Sequence, residues 1–284
     1  SGVSADRVSS RLGEIGANPE PTGLPDSWRL SSGASLAGSG LVSSCDVAVA
    51  DLSAQLVCRV AAPCTGRVLE VGQGRGTKSL LLARAMEELG AEPCVCGCEL
   101  VASKVRQSAA RMERAGLSGS VSCVEFDGTR LAEQGELPKA LSGSFESVLV
   151  DAPCSGVGTM RRHPEIAWAL DESALSDGPE TLASLQLSLL RAASARVASG
   201  GSLVYATCSV LSCENEDVVD AFLASEEGSG FELAGVLDAP GVASLPDEGC
   251  ALVSPWVDER GMFQSVPAAD GPDGHFCARL VRVS

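Results

Sequence analysis

The chain has 284 residues, 45% hydrophobic and only 4% aromatic, enough for one full α/β domain with an aliphatic core and a small appendage. No apolar run is long enough to span a bilayer and the polar start lacks a secretory hydrophobic region, so neither membrane insertion nor a signal peptide is expected. A net charge of −16 weighs against strong, unaided nucleic-acid binding, which needs clustered Lys and Arg, although net charge does not decide what a local cleft can hold.

Residues 1–50 are rich in Ser, Gly and Pro and read as an N-terminal appendage with one short amphipathic stretch at 8–15. A helix is predicted over 52–60, ended by Pro63. Strands and helices then alternate. Strand-like runs fall at 67–71, 94–98, 121–126, 147–150 and 202–207, and helical patterns at 78–89, 102–115, 182–198 and 214–224. This alternation predicts a doubly wound, mostly parallel sheet covered on both faces. Residues 231–237 and 275–283 supply two last strands, and the Gly/Pro/Asp-rich stretch between them reads as irregular.

Three kinds of residue could carry chemistry. The first is the loop Glu70-Val-Gly-Gln-Gly-Arg-Gly-Thr-Lys78, which joins a strand to a helix. Its glycines allow close backbone approach, and the helix N-terminus offers N–H groups. Gly72, Gly74 and Gly76 alternate, so the spacing is neither that of a dinucleotide fingerprint nor that of a phosphate-binding loop. Alone, the loop is either a ligand cradle or a plain turn. The second kind is acidic: Glu99, Asp127 and Asp151 each follow a successive strand. One such acid is ordinarily a turn or a helix cap, but three beside a Gly-rich first turn outline a nucleoside cofactor pocket.

The third kind is cysteine. The twelve cysteines lack disulfide-scaffold spacing, and a reduced, cytoplasmic protein is expected. In Cys94-Val-Cys-Gly-Cys98, alternation sends all three side chains to one face, and the spacing suits packing better than zinc, so no metal is expected. Cys154, in Asp151-Ala-Pro-Cys-Ser-Gly, and Cys208, in Ala206-Thr-Cys-Ser, lie just past apolar strands. Both belong at the carboxyl ends of the sheet, where two thiols from different strands could share a pocket. A thiolate there suits addition to a pyrimidine ring, and buried packing cysteines are the plainer alternative. His163, beside Arg161 and Arg162, is either a helix-start residue or an RNA contact.

The segment Phe145-Glu-Ser-Val-Leu-Val-Asp-Ala-Pro-Cys-Ser-Gly-Val-Gly-Thr-Met-Arg-Arg-His-Pro-Glu-Ile-Ala-Trp168 resembles the core motif of RNA cytosine-5 methyltransferases of the RsmB/Sun type. Gly200-Gly-Ser-Leu-Val-Tyr-Ala-Thr-Cys-Ser-Val-Leu-Ser-Cys-Glu-Asn-Glu216 resembles their second cysteine motif. Asp273-Gly-His-Phe-Cys-Ala-Arg-Leu280 looks like the last strand, where that family usually has Asp-Gly-Phe-Phe. The likeness runs from about residue 47 to the C-terminus. It implies a Rossmann-like methyltransferase with a seven-stranded sheet whose last strand is antiparallel. It also implies S-adenosylmethionine as cofactor and cytosine in RNA, commonly small-subunit ribosomal RNA, as substrate.

Carried over by position, Gly72, Gln73, Gly74, Arg75, Gly76, Thr77 and Lys78 form the cofactor loop. Glu99 holds the ribose, Asp127 lies near the adenine and Asp151 near the reacting centre. Cys208 becomes the nucleophile and Cys154 the cysteine that assists release, with Lys78, Pro153, Arg161, Arg162 and His163 on the substrate side. The family's usual loop is Asp-x-Cys-Ala-Ala-Pro-Gly-Gly-Lys-Thr; here Lys78 survives and Cys-Ala-Ala-Pro does not. Residues 51–284 correspond to the catalytic domain. Residues 1–50 look like the tail of a small RNA-recognition-like subdomain, without the NusB-type helical domain of many bacterial relatives, and a monomer is assumed. Three rivals remain: a DNA cytosine methyltransferase, with Cys154 attacking; a cofactor-binding assembly factor with little turnover; and a nicotinamide dehydrogenase, disfavoured because it leaves the paired cysteines unexplained.

Overall fold

The computed structural model describes residues 4–133, 135, 137–170, 181–269 and 271–283. The appendage contains helix α1 (Ala5–Glu14) and a hairpin of β1 (Pro19–Pro21) and β2 (Trp28–Leu30). It closes over its own small core of Val8, Leu12, Ala17 and Leu41. Helix α2 (Leu52–Ala61) follows, capped by the Asp51 carboxylate, which accepts the Ser53 N–H.

The main body alternates β3 (Val68–Val71), α3 (Thr77–Glu88), β4 (Val95–Glu99), α4 (Ala102–Arg114), β5 (Val121–Glu125) and β6 (Phe145–Asp151). After these come α5 (Ile166–Ala169), α6 (Leu182–Ser194), β7 (Val197–Thr207), α7 (Glu216–Leu223), β8 (Phe231–Ala234), α8 (Pro240–Ala243), α9 (Asp247–Val253), β9 (Phe263–Gln264) and β10 (Phe276–Arg282). The strand order is β5-β4-β3-β6-β7-β10-β8, with the two-residue β9 added against β10. Strands β3 to β7 pair in parallel, and β10 runs antiparallel between β7 and β8. The doubly wound sheet predicted from the alternation is therefore present, with β10 as its antiparallel strand.

Alternation within the strands feeds two cores. On one face Val68, Val95, Leu149 and Val204 meet Val57, Leu82, Met86 and Met112 of α2, α3 and α4. On the other, Leu69, Val148, Val150 and Tyr205 meet Leu190, Ala193, Val219 and Phe222 of α6 and α7. Burial on both faces explains why the central strands read as continuous apolar runs.

Three segments differ from what their sequence predicts. The helix predicted over 182–198 ends at Ser194, because Val197 pairs with Phe145 and draws the chain into β7. The helix predicted from 214 begins at Glu216, because Asn215 is turned to bond Thr207 and Ser209. The stretch expected to be irregular contains α8, opened by Pro240, and α9; Val242, Leu245 and Val253 carry it into the core.

Candidate active site

Every residue of the candidate site is the last residue of a parallel strand, as Glu99 and Asp151 are, or lies on the segment that follows one. The Gly-rich loop leaves β3 at Gly72, whose φ is +85° and whose missing Cβ would sit 2.3 Å from the Asp151 carbonyl oxygen. Only glycine lets the ends of β3 and β6 touch. Gly76, at φ +76°, starts α3; a Cβ there would meet the Ser108 hydroxyl at 2.4 Å.

Between them, Gln73 turns inward. Its side chain occupies the space above Gly97, where a Cβ would fall 2.1 Å from its amide carbon. Gln73 Nε2 donates to Ser79 Oγ at 2.9 Å, and Ser79 Oγ donates to Glu70 Oε2 at 2.5 Å. Burial pushes the Glu70 carboxyl up to about 8, against the opposing Ser79 hydrogen bond. Gln73 is thus taken up by packing beneath the loop, while Arg75 is exposed on its outer side. Arg75 and Thr77 are tied to α4, since Arg111 Nη1 donates to the Arg75 carbonyl at 3.4 Å and to Thr77 Oγ1 at 2.7 Å.

Glu99 closes the loop from β4. Its Oε2 accepts the Gly74 N–H and its Oε1 the Val101 N–H, both at 2.9 Å. One lone pair on each oxygen remains for a ligand hydroxyl. Asp127 Oδ1 accepts from the Thr129 N–H at 3.0 Å and the Thr129 hydroxyl at 2.7 Å, so it also serves as a cap. Lys78 Nζ donates to Asp151 Oδ2 at 2.7 Å. Burial opposes the ammonium, but the neighbouring carboxylate holds its pKa well above the ordinary value.

Beside this pair stand the two thiols. Cys154 Sγ and Cys208 Sγ are 3.2 Å apart, and the Cys208 N–H points at Cys154 Sγ at 3.3 Å. The Cys208 pKa is lowered chiefly by the thiol hydrogen bond from Cys154, with Lys78 assisting against burial. Cys154 is raised for the same reason, because the proton stays on it. By contrast Cys96 and Cys98 are buried packing residues with raised pKa, and no metal-binding cluster occurs among the described residues.

Several supporting residues escaped the sequence reading. Glu214, buried, accepts Ser155 N–H at 2.8 Å and Ser155 Oγ–H at 2.5 Å; Gln186 Nε2 bridges the Pro153 carbonyl (2.9 Å) and Glu214 Oε1 (3.1 Å). Asn215 Oδ1 accepts the Thr207 hydroxyl at 2.6 Å, and its Nδ2 donates to the Ser209 carbonyl at 3.2 Å. Together they brace the turns that carry Cys154 and Cys208. The only signal was Cys213-Glu-Asn-Glu216 itself, and spacing does not reveal burial. His163 is half exposed and paired with Glu165 at 3.1 Å. Arg161 and Arg162 both reach Asp273.

The family model described as 16S rRNA methyltransferase RsmB/F matches residues 60–281. A probable ribosomal RNA small subunit methyltransferase B of Bacillus subtilis (strain 168) is 32% identical over 246 residues, 86% of this chain and 50% of that protein. The chain spans about half the length of the curated relatives it matches. The crystal structure of PH0851 superposes with a TM-score of 0.77 at 22% identity, covering 98% of this chain and 57% of that one. NSun6 from Pyrococcus horikoshii, solved with SFG, gives 0.60 at 20% identity, covering 83% and 53%. At these identities the two structures speak for the fold alone.

Proposed function

Since the chain belongs to the 16S rRNA methyltransferase RsmB/F family, we propose that it methylates carbon 5 of a cytosine in RNA through a covalent bond to Cys208. Small-subunit ribosomal RNA is the proposed substrate class. The observation that carries this reading is the pair Cys154–Cys208 at 3.2 Å, set beside the Lys78–Asp151 ion pair.

S-adenosylmethionine is the cofactor and supplies the methyl group as an electrophile. The donor set fits it: a Gly-rich loop from Gly72 to Lys78 that opens helix α3, the partly unused carboxylate of Glu99 for the ribose hydroxyls, and Asp127 towards the adenine. Carbon 5 of cytosine is too weak a nucleophile alone. Addition of the Cys208 thiolate at carbon 6 moves electron density to carbon 5, which then takes the methyl group. Asp151, oriented by Lys78, hydrogen-bonds the cytosine edge during attack. The carbon 5 proton passes to solvent, its electron pair re-forms the ring double bond, and Cys208 leaves as the thiolate; Cys154 assists that elimination. Pro153 and His163 belong to the substrate side, and the target base must leave its stack to reach the sulfur.

The test is methyl transfer from labelled S-adenosylmethionine to naked small-subunit rRNA, assembled small subunits and transfer RNA in parallel. Label is expected in one of the first two. Tight cofactor binding with no label in any RNA would make the chain a binding or assembly factor.

A further inference from the structure

The Arg161–Arg162 pair, expected from the sequence to meet RNA, is turned onto a carboxylate. Asp273 is fully buried, with Arg161 Nη2 at 3.2 Å from its Oδ1 and Arg162 Nε at 2.6 Å from its Oδ2; Arg162 Nη2 also contacts Oδ2. The Asp273 backbone is fixed from the other side. Its N–H donates to Asp51 Oδ2 at 3.0 Å, and its carbonyl accepts the Ser265 hydroxyl at 2.7 Å. A carboxylate this deeply buried requires compensating charge, and the two guanidiniums supply it.

The next residue leads straight to the proposed nucleophile. Gly274 donates its N–H to the Gly158 carbonyl at 2.8 Å, and Gly158 donates its own to the Cys208 carbonyl at 3.0 Å. A Cβ on Gly158 would lie 2.1 Å from the Gly274 oxygen and 2.8 Å from the Cys208 oxygen, so the three backbones are in direct contact. With its N–H on Cys154 Sγ, Cys208 is held at both backbone polar groups.

We propose that Asp273 is a positioning residue which, by gripping Arg161 and Arg162, presses the segment after Cys154 against the Cys208 carbonyl and fixes the attacking sulfur. The arginine pair serves this clamp rather than phosphate recognition. The inference rests on reading Cys208 as the nucleophile. A lysine replaces arginine adequately against phosphate, as a point charge, but cannot reproduce its planar fork on a carboxylate.

The experiment compares Arg162→Gln, Arg162→Lys and Asp273→Asn in the full chain. It measures kcat and KM for small-subunit rRNA, the salt dependence of RNA binding, and iodoacetamide alkylation of Cys208 without RNA. All three variants are expected to lower kcat, by up to about 10²-fold if the sulfur moves by about 1 Å. Cys208 alkylation should change, while KM and the salt slope stay as in the unmodified chain. An RNA handle would behave differently. Arg162→Gln would then lose about one unit of salt slope and raise KM, and Arg162→Lys would match the unmodified chain in kcat and alkylation; that pattern overturns the clamp. Should Arg162→Gln not fold, Arg162→Lys alone decides. A chain that methylates no RNA defeats the proposed function, and Cys208 alkylation in Arg162→Lys and Asp273→Asn still decides the clamp.

Discussion

Cys154 and Cys208 meet sulfur to sulfur at 3.2 Å because β6 and β7 are parallel neighbours, with Asp151 opposite Ala206, and each cysteine sits just beyond its strand. At that distance the two sulfurs are hydrogen-bonded, and that bond lowers the Cys208 pKa while it raises that of Cys154, so Cys208 is the first of the two to ionise. Two cysteines in nearly the same place thus have different chemistry.

That difference gives the sharpest expectation. Cys208→Ser should abolish methyl transfer and any covalent complex with RNA, since an alcohol is a far poorer nucleophile at neutral pH. Cys154→Ser should permit attack and methylation but slow release, so protein accumulates attached to RNA as a shifted band on a denaturing gel. A persistent band with Cys208→Ser and none with Cys154→Ser would reassign the attack to Cys154.

The same pair fixes a pH response. The Cys208 thiolate fraction rises with pH about a midpoint lowered from the ordinary thiol value, chiefly by the hydrogen bond from Cys154. Removing the donor in Cys154→Ala should move that midpoint up, because the largest lowering influence disappears. Alkylation of Cys208 followed by mass spectrometry against pH reads it directly. An unmoved midpoint would assign the lowering to Lys78 instead.

Glu70 makes a second pH prediction, of opposite sign. Its folded pKa is raised to about 8 by burial, so the stability held by its protonated form is present below the unfolded value of 4.5 and is lost as pH rises towards 8. Glu70→Gln removes that loss, by about a few kcal/mol at most. The Tm difference between Glu70→Gln and the unmodified chain should therefore grow in favour of the variant across that interval. A constant difference would place no ionisable proton on Glu70 there.

Glu99→Gln should weaken S-adenosylmethionine binding by about 10-fold, because a charged acceptor to two hydroxyls becomes a neutral amide with one acceptor oxygen. Calorimetry is the measurement, and unchanged affinity would remove the ribose from Glu99. The variant also loses one of the two backbone N–H bonds at Gly74 and Val101, so a modest fall in Tm accompanies it.

Gly72→Ala tests the joint between loop and sheet. A Cβ at φ +85° and 2.3 Å from the Asp151 carbonyl oxygen cannot be accommodated without parting β3 from β6. A loss of about 1–3 kcal/mol in stability is expected, together with weaker cofactor binding. Unaltered thermal unfolding would show that the loop relaxes independently of the strand end.

Sequence alone determined what depends on neighbours along the chain. Apolar runs such as 67–71 and 147–150 specify strands because both faces of the sheet are covered, and the turn after each strand announces its polar residue: Glu99, Asp127, Asp151, Cys154, Cys208. Tertiary structure decided what depends on partners far away. Gln73 turns inward only because Gly97 on the adjacent strand has no Cβ. The chain leaves α6 at Ser194 only because β6 waits to pair with Val197. Arg161 and Arg162 look like surface charge until Asp273, more than a hundred residues on, is found buried beneath them. Local periodicity carries the first kind of information because a strand's burial is written in its own side chains. An ion pair or a close backbone approach is a property of two segments, and neither segment states it alone.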